Sequence, residues 1–219
     1  MPAIAAPALT NVPTPTGLCS SLGCLTGNPK IAATPAAGDS SQIFDGWNDL
    51  VGRANIVYNQ ATLTTSLGPG PQYNPDGSCK TTVQANWGDP LRNVTTPGKC
   101  EAYFPIIYLS SAVKGALGPT TTINSGSGQG MLLVDGNLRM EGNFTWVGPI
   151  IVRGNVATAG VGNKTVGGIQ AYNQGCVTSP CNSLTGTSQA TYSSCTIQKI
   201  LNMKAYPTVA KQHAWTDLH

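Results

Sequence analysis

The sequence predicts a mainly β protein, in which a short parallel β-solenoid (β-helix) is flanked by helices and disulfide-closed loops. Charged residues make up 10% of the 219 residues, against about 25% in ordinary soluble domains. Gly occurs 26 times and Pro 16 times, which favours a turn-rich β protein over a helical bundle. An internal repeat and seven cysteines, six of which fall into pairs that are close in sequence, are the other two observations. A net charge of +3 provides no clustered basic surface for nucleic acid.

Residues 1–39 form an Ala/Pro/Thr-rich arm that we expect to be extended or polyproline-like. Residues 40–219 are predicted to form a single domain. It comprises a helix over 41–58, a disulfide loop over 61–100, the solenoid over about 105–172, a helix over 192–204 and a docking tail. Ser40 or Ser41 is the expected N-cap of the first helix. Its apolar residues recur at steps of three and four: Ile43, Phe44, Trp47, Leu50, Val51 and Ala54.

The repeat aligns residues 133–148 with residues 151–167. Val134 corresponds to Val152 eighteen residues later, and Leu138 corresponds to Val156 at the same offset. The side chains alternate as in a strand, and Gly-Asn pairs supply tight corners. Eighteen residues suffice for one coil of a narrow parallel solenoid, with Val134 under Val152 and Leu138 under Val156. A β-hairpin meander with Gly-Asn turns is the alternative.

The cysteine spacings predict three short-range disulfides and one free thiol. The predicted bridges are Cys19–Cys24, Cys79–Cys100 and Cys176–Cys181, and Cys195 is left as a buried structural thiol on the second helix. Disulfides imply an oxidising, extracytoplasmic compartment. Zinc is the competing interpretation, but no pair has C-x-x-C spacing and only two histidines occur. We therefore expect no metal and no cofactor.

One set of residues resembles the blocks of a GDSL-type hydrolase. Gly-Asp-Ser ending at Ser40 resembles the nucleophile block, and Asn48 resembles the oxyanion block. Asp217 with His213 or His219 would complete a serine-type ester hydrolase. Ser40 and Asn48 lie only eight residues apart on one predicted helix, however, whereas that fold places these blocks on separate strand ends. A helix cap explains Ser40 more simply.

Aromatic and acidic residues suggest a second binding function. Trp87, Trp146 and Tyr172 could stack on sugars of a polysaccharide, although burial in the core is the favoured interpretation. Asp135 and Glu141 lie six residues apart. We expect them to be outward-facing, solubilising charges rather than a catalytic pair.

Three segments carry a family resemblance: NWGDP before Cys100, GQGMLLVDGNL over 128–138, and YSSC-x-IQKIL around Cys195. Over residues 84–218 the chain resembles the extracytoplasmic part of PilX-type pilus assembly proteins. The resemblance implies a bacterial, periplasmic or surface-exposed structural component of a type IV pilus-like or secretion apparatus, with other proteins of that apparatus as partners. It also implies a native anchoring helix ahead of Met1. The residues that begin at Met1 do not have the pattern of an export signal. A carbohydrate- or surface-binding β-helix module is the alternative function, and a hydrolase of unassigned class is the second alternative.

Overall fold

The computed structural model describes residues 46–91, 98–171, 182–183 and 185–203, together with the backbone of three short strands nearer the N-terminus. The predicted bridges Cys19–Cys24 and Cys176–Cys181 and the docking tail lie outside these residues. Thirteen strands and two α-helices are described. The strands are β1 Ile4–Ala6, β2 Leu25–Thr26, β3 Ile31–Ala33, β4 Ile56–Asn59, β5 Ile106–Ser110, β6 Thr120–Asn124, β7 Ser127–Gln129, β8 Met131–Val134, β9 Asn137–Glu141, β10 Thr145–Val152, β11 Val156–Thr158, β12 Lys164–Ala171 and β13 Gln189–Tyr192. The helices are α1 Trp47–Gly52 and α2 Ser194–Met203.

The described strands form two sheets whose ladders are parallel. The ten-stranded sheet has the order β2-β13-β12-β10-β8-β5-β4, with β1 paired to β12 and β3, and β7 paired to β10. The three-stranded sheet has the order β11-β9-β6. The mainly β prediction is therefore confirmed. A hairpin meander would give antiparallel pairs, so the parallel ladders over the repeat exclude it.

The strand register follows the sequence repeat. Val152 pairs with Val134, and Val156 pairs with Leu138, as predicted from the offset of eighteen. Beyond the one inserted residue, Val166 pairs with Val147. Because parallel partners lie on equivalent positions of consecutive repeats, similar apolar side chains stack and fill the core. The buried stack includes Ile107, Leu109, Ile123, Leu132, Val134, Leu138, Met140, Ile150 and Val152.

Glycine occupies one level of this stack: Gly130 lies between β7 and β8, and Gly148 within β10 pairs with Gly167 within β12. Gly130, Gly148 and Gly167 have φ values of +111°, +140° and +139°, a region that side-chain-bearing residues rarely occupy. A Cβ on Gly148 would approach the carbonyl oxygen of Gly130, and a Cβ on Gly167 would lie 2.4 Å from the carbonyl oxygen of Gly148. These stacked positions leave no room for a side chain, which explains part of the glycine content.

The first helix is shorter than the periodicity predicts. Helix α1 spans Trp47–Gly52 with Gly46, rather than a serine, at its N-cap, and its expected part before residue 46 lies outside the described residues. The chain then enters β4, whose Ile56 pairs with Ile107. The prediction of helix over 41–58 is therefore wrong at its C-terminal end. The branched and aromatic residues from Ile56 to Tyr58 gain more by joining the sheet than by extending a helix.

The second helix agrees with its predicted span of 192–204. Ser193 caps it, because its Oγ accepts a hydrogen bond from the backbone N–H of Thr196 at 3.2 Å. Helix α2 packs across β10 and β12, and its own residue Ile200 is buried. No helix within the described ranges is long and apolar enough to cross a membrane.

Between β4 and β5 the chain makes a long excursion that the disulfide Cys79–Cys100 closes, as predicted. Asn86 lies at its centre and donates from Nδ2 to the carbonyl oxygens of Lys80 (2.9 Å) and Gln72 (3.1 Å). The N-terminal arm, expected to be loosely extended, contributes β1 to the main sheet, where Ile4 pairs with Ile169. The two helices and the excursion thus surround a rigid parallel stack.

Candidate functional site

A charge pair between a buried aspartate and a partly exposed arginine occupies equivalent positions of two consecutive repeats. Asp135 is 0% exposed, and its Oδ1 lies 3.2 Å from Nη1 of Arg153, eighteen residues later. The Tyr108 hydroxyl donates to Asp135 Oδ2, and the Ser111 backbone N–H donates to the same oxygen at 3.2 Å. The expectation that Asp135 faces outward is wrong. Opposite charges at matched repeat positions were the sequence signal for this pair.

Helix α1 covers this cluster. The guanidinium of Arg153 lies 4.4 Å from the ring centroid of Trp47, a cation–π distance, and Trp47 packs edge-on against Tyr108 at 6.2 Å between centroids. Burial, and then the hydrogen bond to Asp135, raise the pKa of Tyr108 above its ordinary value. The Tyr108 hydroxyl therefore stays protonated and remains a donor. These groups satisfy one another and fasten α1 to the sheet.

The backbone of the same aspartate also holds the connection between β5 and β6. The backbone N–H of Gly115 donates to the Asp135 carbonyl oxygen at 2.7 Å. Asn137 Nδ2 donates to the carbonyl oxygens of Gly118 (2.7 Å) and Ala116 (3.1 Å). On this connection, Val113 is 52% exposed and Leu117 is 84% exposed. A tightly held loop thus presents two apolar side chains to the outside.

A second polar cluster lies inside the disulfide-closed excursion. The Tyr73 hydroxyl lies 2.7 Å from Asp89 Oδ2 and 3.4 Å from Glu101 Oε2. Both carboxylates are buried. Gln129 reaches in from β7 and donates from Nε2 to the carbonyl oxygens of Tyr103 and Glu101, each at 3.0 Å. The cluster therefore ties the excursion to the sheet, a role that sequence analysis missed because its partners lie far apart in the chain.

A hydroxyl-lined groove lies along one edge of the three-stranded sheet. Its volume is about 310 Å³, and it is lined by Leu63–Ser66, by Thr120–Thr122 of β6 and by Glu141. Glu141 forms an ion pair with Arg139, so the acidic end of the groove is neutralised. Glu141 thus lies at the groove rather than in a pair with Asp135. The threonine runs beside residues 63 and 121 were visible in the sequence, but only the fold places them opposite each other.

The predicted stacking aromatics belong to the core. Trp87 and Trp146 are both 0% exposed, and their rings meet edge to face with 6.0 Å between centroids. Phe144 packs against both rings. Neither indole offers a face to a sugar, so a binding role for these two tryptophans is wrong. Tyr172, the third residue, lies outside the described residues.

The proposed hydrolase residues are not brought together by anything described. Asn48 is exposed on α1, while Ser40, His213, Asp217 and His219 lie outside the described residues. Cys195 is a free cysteine, as predicted, but it is exposed on α2 rather than buried. Across the described ranges, no group of three metal-ligating side chains occurs.

No protein-family model matches the chain, and no curated protein or solved structure matches it either.

Proposed function

We propose that this protein is a non-enzymatic structural component of a type IV pilus-like or secretion apparatus, and that it acts through protein–protein contacts. In this proposal the parallel sheets are faces of a short β-solenoid, capped by the helices and by the excursion. The family resemblance over residues 84–218 is the reason for proposing this particular apparatus. The Cys79–Cys100 bridge is consistent with a periplasmic or surface location.

The rigid β5–β6 connection carries the proposal. Exposed apolar side chains on a flexible loop would lose entropy on binding, whereas this connection is already fixed by Asp135 and Asn137. Leu117, at 84% exposure, and Val113, at 52%, both project from it. Apolar side chains held in one place suit the centre of a protein contact. A carbohydrate-binding module needs exposed aromatic faces, and Trp87 and Trp146 do not supply them.

A photo-crosslinking experiment tests this function. The photoreactive residue p-benzoyl-phenylalanine replaces Leu117 in the full-length protein, produced in its native bacterium, and adducts are identified by mass spectrometry. We expect the photoreactive residue at position 117 to form a crosslink to a pilin or another assembly protein. Val161, an apolar residue at 67% exposure on a different loop, is the matched control and should give no such adduct. Cells that assemble filaments but yield no protein adduct at Leu117, or the same adducts at Val161, would contradict the proposal.

A further inference from the structure

We propose that the groove beside β6 accepts an extended, uncharged segment of a partner protein, which adds to the sheet as a parallel strand. This inference rests on the proposed function, because it names one way in which the protein contacts its partners. It begins with the backbone of β6. In a parallel strand, alternate residues direct both their N–H and C=O groups to the same edge.

The hydrogen bonds show which β6 residues face the groove. Leu67 donates its N–H to the Thr122 carbonyl oxygen at 2.8 Å, and Asn124 donates its N–H to the Leu67 carbonyl oxygen at 2.7 Å. Thr122 and Asn124 therefore point away from β9, and so does Thr120, two residues earlier. Among the described residues, the Thr122 N–H has no hydrogen-bond partner, and neither does the N–H or the carbonyl oxygen of Thr120.

A residue of the same chain, Leu67, already pairs with this edge of β6. Leu67 pairs with β6 as a single parallel bridge opposite Ile123. A partner residue one strand step before Leu67 would repeat the same two bonds, by donating to the Thr120 carbonyl and accepting from the Thr122 N–H. Such a step spans two residues, about 6.6 Å. The edge is therefore already used for parallel strand addition, and it remains open beside Thr120 and Thr122.

The gap is held open by fixed contacts at both ends. Gln60 donates from Nε2 to Thr121 Oγ1 at 2.7 Å, and its Oε1 accepts the Gly136 N–H at 3.0 Å. Leu67 fixes the other end of the segment. Residues 61–66 therefore arch away from β6 rather than pairing with it, so a binding partner need not displace them. A preformed site loses less entropy on binding.

The lining selects the kind of segment. The hydroxyls of Thr64, Thr65 and Ser66 and the compensated Arg139–Glu141 pair leave no net charge to recruit an ionic group. The groove volume of about 310 Å³ is at the lower end of the range of about 300–1,000 Å³ for ligand clefts, which favours small side chains. Backbone groups supply the attraction and the pocket limits the side chains, as in other cases of strand addition.

A peptide titration followed by NMR tests the inference. The probe is the acetylated and amidated peptide Ser-Thr-Val-Thr-Ser, added to the ¹⁵N-labelled full chain. We expect shifts at the amides of Thr120 and Thr122. The same peptide N-methylated at alternate residues, which cannot donate along one edge, should bind about tenfold more weakly, as expected for loss of one hydrogen bond. This control leaves the protein unchanged.

Two variants at one position separate strand addition from sugar binding. Thr122→Pro removes the outward N–H at an edge position where proline is tolerated, and we expect about a tenfold loss of peptide affinity. Thr122→Val removes only the hydroxyl and should change the affinity less than about twofold.

Equal peptide binding by the proline variant would overturn the inference, as would no peptide binding at millimolar concentration. Cellohexaose shifting the same amides and losing affinity in Thr122→Val would assign the groove to saccharide. None of these outcomes depends on crosslinking at Leu117, so the two proposals fail separately.

Discussion

At the scale of single residues, glycine sets the geometry of the stack. Gly148 has a φ of +140°, and a Cβ there would also lie 2.7 Å from Ile200 Cδ1 of α2. Gly168 lies one residue beyond Gly167 in the same sheet and has no such restriction, because its nearest neighbour would be Ile197 Cδ1 at 3.5 Å. The comparison therefore distinguishes a position whose backbone requires glycine, Gly148, from one where a side chain would fit, Gly168.

We therefore expect Gly148→Ala to lower the free energy of unfolding by about 3 kcal/mol or more, from backbone strain and a steric clash together. Gly168→Ala should change it by less than about 1 kcal/mol. Urea unfolding followed by tryptophan fluorescence measures both. Equal stability of the two variants would show that the backbone at residue 148 can relax, and that glycine is not required there.

Asp135 shows how a residue's role depends on its neighbours. Its carboxylate is removed from water, and Arg153, Tyr108 and Ser111 compensate the cost. From the sequence we expected an outward-facing, solubilising charge. The repeat offset of eighteen residues that joins Val134 to Val152 also joins Asp135 to Arg153, so the sequence contains a signal for this pair, whereas the covering indole of Trp47 is visible only in the fold.

At the scale of elements, the disulfide acts on the excursion rather than on the stack. Cys79 and Cys100 are 21 residues apart, and closing a loop of that length contributes about 3 kcal/mol in the chain-entropy description. The Asn86 hydrogen bonds to Lys80 and Gln72 stabilise the same loop. The bridge and this carboxamide together position Trp87 in the core.

Replacing both Cys79 and Cys100 by serine should lower the melting temperature by about 5–10 °C, given that loss in a domain of this size. Replacing the exposed free Cys195 by serine is the control and should leave it unchanged. Differential scanning calorimetry provides the measurement. A double variant that melts with the parent protein would mean that hydrogen bonds alone hold the excursion.

The sequence predicted elements best where local pattern and tertiary packing agree. Helix α2 has both a cap at Ser193 and an apolar face for β10 and β12, so its span was predictable. Helix α1 was extended too far, because apolar residues at helical spacing continue to Ala54 while Ile56 is drawn into the sheet by Ile107. The groove at Thr120–Thr122 was not predictable, since it depends on where residues 61–66 leave the strand edge.

At the scale of the whole molecule, the parallel pairing of the strands follows the sequence repeat. Val134 pairs with Val152, and Leu138 pairs with Val156, at one constant offset. If the sheets are solenoid faces, each coil contacts only its neighbours, and a coil can be added without disturbing the others. A globular arrangement with a single closed core would not tolerate such an addition.

A second copy of residues 136–153, inserted after Arg153, tests this directly. The copy carries glutamine at the position that repeats Arg153, because a second arginine there would lie next to Arg153 with no carboxylate of its own, Asp135 being already paired with Arg153. We expect a folded protein with cooperative urea unfolding, and a maximum dimension by small-angle X-ray scattering that is longer by one strand spacing, about 4.8 Å. Inserting only residues 136–144 is the control, because it shifts the register by half a repeat. Strand segments would then lie against turn segments of the next repeat, so we expect cooperative unfolding to be lost. If both insertions unfold the protein alike, its repeats are not interchangeable coils.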